Sequence, residues 1–281
     1  MRIPALILFL FISLAARAQR EVRTYYHTPE KPLQEIYFVE ADNETYVGKY
    51  QRFYENGNLM VEGNFKNGKK SGVFTEYYSN GATARRVTYV DGLREGPVHI
   101  FDESGVPIQQ ANFSNDVLVD SVNLFYADGS KRGESQFVKG KPEGLVREYY
   151  PDGKVKREAM YNKGKPNGMS RTYYPNGTVE TEGHYKNGVL TGAYKTYFMN
   201  GKVETSSTMA DGSKNGSYQS YDHEGKLLVT GGFLNGKLHG DNIGYFSNGT
   251  VQHRFNYNQG KKTGTNITYF PNGQPSIREG Y

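Results

Sequence analysis

Thr172-Tyr-Tyr-Pro-Asn-Gly-Thr-Val-Glu-Thr-Glu-Gly-His-Tyr-Lys-Asn-Gly-Val-Leu-Thr-Gly192 is the stretch from which the rest of the chain is read. Two aromatics run into a Pro-Asn-Gly turn, and a strand of alternating character follows. A third ring then leads into a Lys-Asn-Gly turn closed by one more glycine. Proline presets the first corner of a type I turn, and glycine takes the left-handed position behind it. Pro175-Asn176-Gly177 therefore predicts a three-residue hairpin loop with a glycine bulge, in place of a two-residue Asn-Gly turn.

The stretch recurs. Turn glycines fall at 57, 81, 105, 129, 153, 177, 201, 225, 249 and 273, each 24 residues from the last. A second series starts at Gly68 and a third at Gly48, with Asp116 and Asp120 standing where these series lack their glycine. Periods of about 20–50 residues signify stacked supersecondary units.

Counted from the first-turn glycine, position −4 is aromatic in all ten units, from Phe53 to Tyr269. Position +8 is aromatic in nine, with Met209 in the tenth. Position +2 favours Val or Leu (Val155, Val179, Val203), and +6 is small in most units (Gly63, Ala159, Gly183). Positions +1, +3 and +5 are largely polar, a period-two pattern that marks a strand with one buried face. A three-residue loop pairs −4 with +2, −6 with +4 and −8 with +6. Tyr173, Val179, Gly183 and Tyr185 are then expected on one core face, with Tyr174 opposite.

One hairpin cannot bury such a face alone, so the units must stack. The predicted fold is all-β: an elongated, solenoid-like sheet of about ten tandem β-hairpins over residues 48–281. Residues 19–47 read as an N-terminal arm and a capping strand.

Composition agrees with a turn-dense array. The 281 residues include 34 Gly, 24 Tyr and 15 Phe, with no Cys and no Trp. The absence of cysteine excludes a disulfide framework. Met1-Arg2, the apolar run Ile3 to Ala15 and the small-x-small triplet Ala16-Arg17-Ala18 form a signal peptide over residues 1–18, with cleavage near Ala18. The run is too short to span a bilayer, and no cysteine is present to carry a lipid anchor. The expectation is an exported protein (periplasmic, outer-envelope or secreted) that is not a lipoprotein and has no transmembrane helix.

Chemistry is sparse. The six histidines sit at unrelated repeat phases without His-x-x-x-His spacing, which argues against a metal site. Nucleophile-elbow, Walker and Rossmann fingerprints are missing. The chain reads as a non-enzyme that needs no cofactor. A formal charge of +5 does not mark a nucleic-acid binder, and no nucleic-acid partner is expected.

Three features are candidate interaction surfaces. The −3 rings, among them Tyr126, Tyr150, Tyr174 and Phe198, form a ladder suited to stacking glycan rings or a peptide; shielding of the sheet's second face is the plainer account. Lysines at +12 or +13, including Lys141 and Lys165, make a basic rim suited to anionic lipid or polysaccharide. Solvent-facing turn lysines would look the same. In the unit after Gly105, Val117, Leu118 and Val119 replace glycine and lysine with an apolar run, either a docking patch or a local repacking. The last strand, ending at Tyr281, offers an edge for end-to-end self-association.

The frame Gly183-x-Tyr-Lys-Asn-Gly-x-x-x-Gly192, followed by an aromatic pair and Asn200-Gly201, resembles the MORN repeat. It is most similar to the 24-residue bacterial variant found in antitoxin-like proteins. The resemblance implies tandem β-hairpins, no catalytic residues, and roles in scaffolding, protein contact or membrane-lipid association. The leading reading is an exported non-enzymatic repeat protein acting as an interaction scaffold or binding surface in the cell envelope. One alternative is binding of anionic lipid or polysaccharide through the basic rim. Another is an antitoxin-like protein neutralising a partner toxin, which requires residues 1–18 to remain attached.

Overall fold

The computed structural model describes residues 19–281; the expected signal peptide lies outside the described residues. The chain is all-β, with 23 strands among the described residues, from Arg20–Tyr25 to Pro275–Gly280, and no helix. Contacts gather into two compact units. One holds the described residues up to Gly96 with Glu103–Gly105; the other holds Pro97–Asp102 and Val106–Tyr281. In both, antiparallel hairpin follows antiparallel hairpin, each strand bonded to its neighbours in the chain. Within each unit strands pack against the strands beside them, and no second layer covers the sheet among the described residues.

The first turn of each repeat has the predicted loop. Tyr174 N donates to Thr178 O at 2.9 Å and Gly177 N to Tyr174 O at 2.8 Å, with Gly177 at φ +89°. Asn176 fixes the corner twice. Its Oδ1 accepts the Thr178 N–H at 3.0 Å, and its Nδ2 donates to Met199 O of the next repeat at 3.0 Å. The second turn is a two-residue loop between the paired residues Lys186 and Val189. Asn187 and Gly188 both have positive φ (51° and 90°), as a type I′ turn requires. Gly188 N reaches back to Pro166 O at 2.7 Å, so the second turn ties to the preceding repeat as the first ties to the following one.

The core face differs from expectation. Tyr173 does pair with Val179, but the ladder then slips by one: Thr172 faces Thr181, Ser170 faces Gly183 and Gly168 faces Tyr185. Glu180 is the extra residue of a bulge. A one-residue slip sends every later side chain to the other face. The expected core set is thereby divided, with Tyr173 and Val179 on one face and Gly183 and Tyr185 on the other.

The buried row is −7 against +6, a pairing the unbulged register does not contain. It supplies Phe74 (2% exposed) and Val87 (1%) in the first unit, and Val98, Ala111, Val122, Ala159, Ser207 and Asn266 in the second. Small residues at +6 make room for the ring at −7: a Cβ on Gly63 would lie 2.6 Å from the Phe74 ring. In the first unit the row is aromatic, with Phe65 edge-on to Phe74 (5.5 Å) and Phe74 to Tyr89 (5.4 Å).

The expected N-terminal arm is a strand. Arg20–Tyr25 pairs with Leu33–Val39, and the Tyr26 hydroxyl donates to Phe53 O at 2.8 Å. This hairpin has the same build as the others. Its wider turn, closed by Tyr26 N to Pro32 O, breaks the 24-residue period and hides it in the sequence.

Candidate interaction surface

The −3 rings follow the strand that ends on the −4 residue. Odd spacing from −7 puts −4 on the reverse face, while −3 returns to the core face. Lys156, at +3, brings its Nζ to 5.9 Å from the Tyr150 ring. The ladder therefore lies on the core face, not opposite it as expected. Its hydroxyls are committed between repeats: Tyr126 donates to Tyr149 O (2.6 Å), Tyr150 to Tyr173 O (2.7 Å) and Tyr174 to Tyr197 O (2.8 Å). Phe198 stands edge-on to His223 with ring centroids 3.9 Å apart. The rings stay half-buried.

The lysine rim separates into two rows. Lys141 and Lys165, at +12, are exposed, and their stems lie beneath the next second turn; the Lys141 Cβ is 3.4 Å from where Gly164 would carry its own. Lysines at +13 turn to the core face and cover rings. Lys70 Nζ sits 4.7 Å from the Phe74 centroid, Lys214 Nζ 4.3 Å from Tyr218 and Lys262 Nζ 4.2 Å from Phe255.

The apolar run divides likewise. Val117, at +12, is 43% exposed, with its Cγ1 3.8 Å from where Gly140 would carry a Cβ, while Leu118, at +13, and Val119 are half-buried. Asn115, Asp116 and Asp120 hold positive φ (48°, 64° and 55°) where other repeats use left-handed turn positions and glycine bulges. The atypical repeat thus keeps the shared backbone.

The sequence reading overlooked a charge ladder on the reverse face. Tyr149, Tyr173 and Tyr197, each at −4, donate to Glu134 (2.6 Å), Glu158 (2.7 Å) and Glu182 (2.6 Å), each at +5 of the preceding repeat. Arginines at −6 alternate with the carboxylates: Arg147 lies 3.5 Å from Glu134 and 3.6 Å from Glu158, and Arg171 lies 3.9 Å from Glu158 and 3.4 Å from Glu182. Burial, aided by the bond to Glu182, pushes the Tyr197 hydroxyl up to about 12. Tyr149 and Tyr173 move up for the same reasons. The Tyr197 bond, with Arg171 beside it, draws Glu182 down; Lys131, then Tyr149, draw Glu134 down. The signal was present in the sequence, as Glu at +5 followed by Arg or Lys at −6 in three successive repeats (Glu134/Arg147, Glu158/Arg171, Glu182/Lys195).

Family comparison matches the MORN repeat variant at residues 46–67, 142–163 and 166–187, and the MORN repeat at 62–83. The chain is a MORN-repeat protein. The matches fall on hairpins of both units, and the intervening repeats share their turns and pairing. MORN repeats are in general binding modules for proteins or membranes, and proteins built of them are typically non-catalytic. No curated protein sequence matches this MORN-repeat protein. Among solved structures, a mutant of S. aureus TarM in complex with Fondaparinux, alpha-GlcNAc-glycerol and UDP aligns at 22% identity. That alignment covers 39% of this chain and 19% of the other with a TM-score of 0.23. No helix among the described residues is long and apolar enough to cross a membrane.

Proposed function

We propose that this MORN-repeat protein is an exported, non-enzymatic scaffold whose core face receives a protein partner in the cell envelope. The observation that carries this reading is the −3 ring row on an uncovered sheet. Tyr126, Tyr150 and Tyr174 spend their hydroxyls on the neighbouring repeat, which leaves rigid, half-exposed rings as contact area. Rings fixed in this way lose little side-chain entropy when a partner settles on them. Export rests on the N-terminal sequence alone.

Affinity capture from envelope extract tests the scaffold reading. A Tyr150→Ala/Tyr174→Ala/Phe198→Ala variant should lose the partner that wild type retains, whereas a Lys195→Ala control on the reverse face keeps it; equal capture by all three proteins refutes the surface. N-terminal sequencing of the exported protein tests the compartment. A start at Gln19 removes the antitoxin-like alternative.

A second reading, anionic lipid or polysaccharide at the rim, is favoured by the exposed heads of Lys141 and Lys165 on successive repeats. It requires salt-sensitive binding to anionic vesicles that Lys141→Glu/Lys165→Glu abolishes.

A further inference from the structure

A cavity of about 460 Å³ opens in the second unit around Gly133, within the size range of small-ligand pockets. Gly133 sits at +4, where other repeats place Val61, Arg157, Thr181, Thr205 or Val229. Its φ is not left-handed, so the backbone conformation does not call for glycine. What glycine supplies here is space.

The walls combine apolar surface with positive charge. Val122, Leu124 and Val146 supply the apolar side and Tyr126 an aromatic one, while Arg132 and Lys156 add cations. The two carboxylates in the lining are already paired: Glu134 with Lys131 (2.8 Å) and Arg147 (3.5 Å), and Glu148 with Arg157 (3.6 Å). Arg132 and Lys156 have no carboxylate partner among the described residues. Both stand at +3, and in the next two repeats that row reverses sign to Glu180 and Glu204. Two uncompensated cations beside an apolar wall select an anionic head on an apolar body. A guanidinium binds a carboxylate through two parallel hydrogen bonds, and an ammonium adds a point charge.

We infer that the Gly133 cleft is a binding site for a small amphiphilic carboxylate, with an apolar part the size of an aryl group or short acyl chain. The cleft lies on the core face and shares Tyr126 with the protein-binding surface proposed above, but its test needs no protein partner, so either reading can fail alone.

Titration calorimetry of the whole chain with octanoate tests it, with octanamide as the neutral analogue and inorganic phosphate as the anion without an apolar body. Octanoate should saturate at one site and bind about tenfold or more tighter than either control. Arg132→Glu and Lys156→Glu, singly and together, install the residue that sister repeats carry at +3. Each should weaken octanoate about tenfold while the circular dichroism spectrum is retained. Gly133→Ala, whose methyl meets the Arg147 carbonyl oxygen at 3.2 Å and occupies the cleft, should weaken octanoate and octanamide alike. Absence of saturable octanoate binding, equal affinity for octanamide, or wild-type affinity in a folded charge-reversed variant overturns the assignment.

Discussion

The repeats between Gly129 and Gly201 and those between Gly225 and Tyr281 share turns and pairing but fill their rows with opposite chemistry. On the reverse face the central repeats carry Glu134, Arg147, Glu158, Arg171, Glu182 and Lys195. The same row later holds Thr230, Ile243, Arg254, Ile267 and Arg278, without a carboxylate. The core face inverts this. Central repeats bury Ala159 and pack Val146, whereas the last repeats place Asn242 and Asn266 there. Asn266 is 1% exposed, accepts the Asn256 N–H at 2.7 Å and donates to Thr263 O at 3.3 Å. The strand that carries Asn242 is interrupted at His239, whose N–H still bonds Gly232 O at 2.9 Å. The hairpin frame accepts either arrangement because turns and ladder set the backbone. Each row needs only to fit its space and satisfy its polar atoms.

Substitutions and titrations break or sharpen this comparison. Gly183→Val should have the largest effect. A Cβ there lies 2.8 Å from Leu190 Cδ1 and Tyr194 Cδ2, and overpacking costs about 3 kcal/mol in urea unfolding. Asn266→Ala leaves the Asn256 N–H without its acceptor and should cost about 2 kcal/mol by the same measurement. Glu158→Ala removes the acceptor of Tyr173 and the midpoint of the ladder. With solvent screening its half-exposed partners, the expected loss is about 1 kcal/mol, and it should shrink in high salt.

The titrations follow from direction. Glu134 and Glu182 are drawn down on folding, so their stabilisation is present above about pH 4.3, the unfolded value, and is lost as pH falls through the lower folded value. Hydrogen exchange in acid should therefore release amides of 134–197 ahead of those of 251–269, and Glu182→Gln should narrow that gap. Tyr197 is pushed up to about 12, so its contribution is intact below about pH 10 and is lost as pH rises to the folded value. Tyr197→Phe should flatten the melting temperature across that alkaline window. The smallest change is expected from Asp120→Gly. It relieves a non-glycine φ of 55° and should stabilise by about 0.5 kcal/mol, read as a small rise in unfolding midpoint.

Much of the fold was legible because turns are local. Pro175-Asn176-Gly177 specified its loop through proline's fixed φ and glycine's access to the left-handed region, and the 24-residue repetition specified stacking. The candidate surface was legible only in part. Tyr150 and Tyr174 were correctly seen as a row of their own, distinct from Tyr149 and Tyr173. Their face was misjudged because the bulge at Glu180 reverses everything beyond it. Lys69 and Lys70 looked like one rim, although adjacent residues on a strand point to opposite faces. The hairpin at 20–39 stayed hidden because its wider turn erased the period while hydrogen bonds preserved the geometry.

The sequence by itself determined the unit, its two turns, its repetition and its all-β class, since each depends on backbone preferences that a few neighbouring residues set. Only the tertiary structure decided which face is the core, which tyrosines bond to glutamates and which to backbone, and where a cleft opens beside Gly133. Those outcomes depend on a one-residue slip between paired strands and on side chains 15 or 23 residues apart, which the pleat brings to the same side of the sheet.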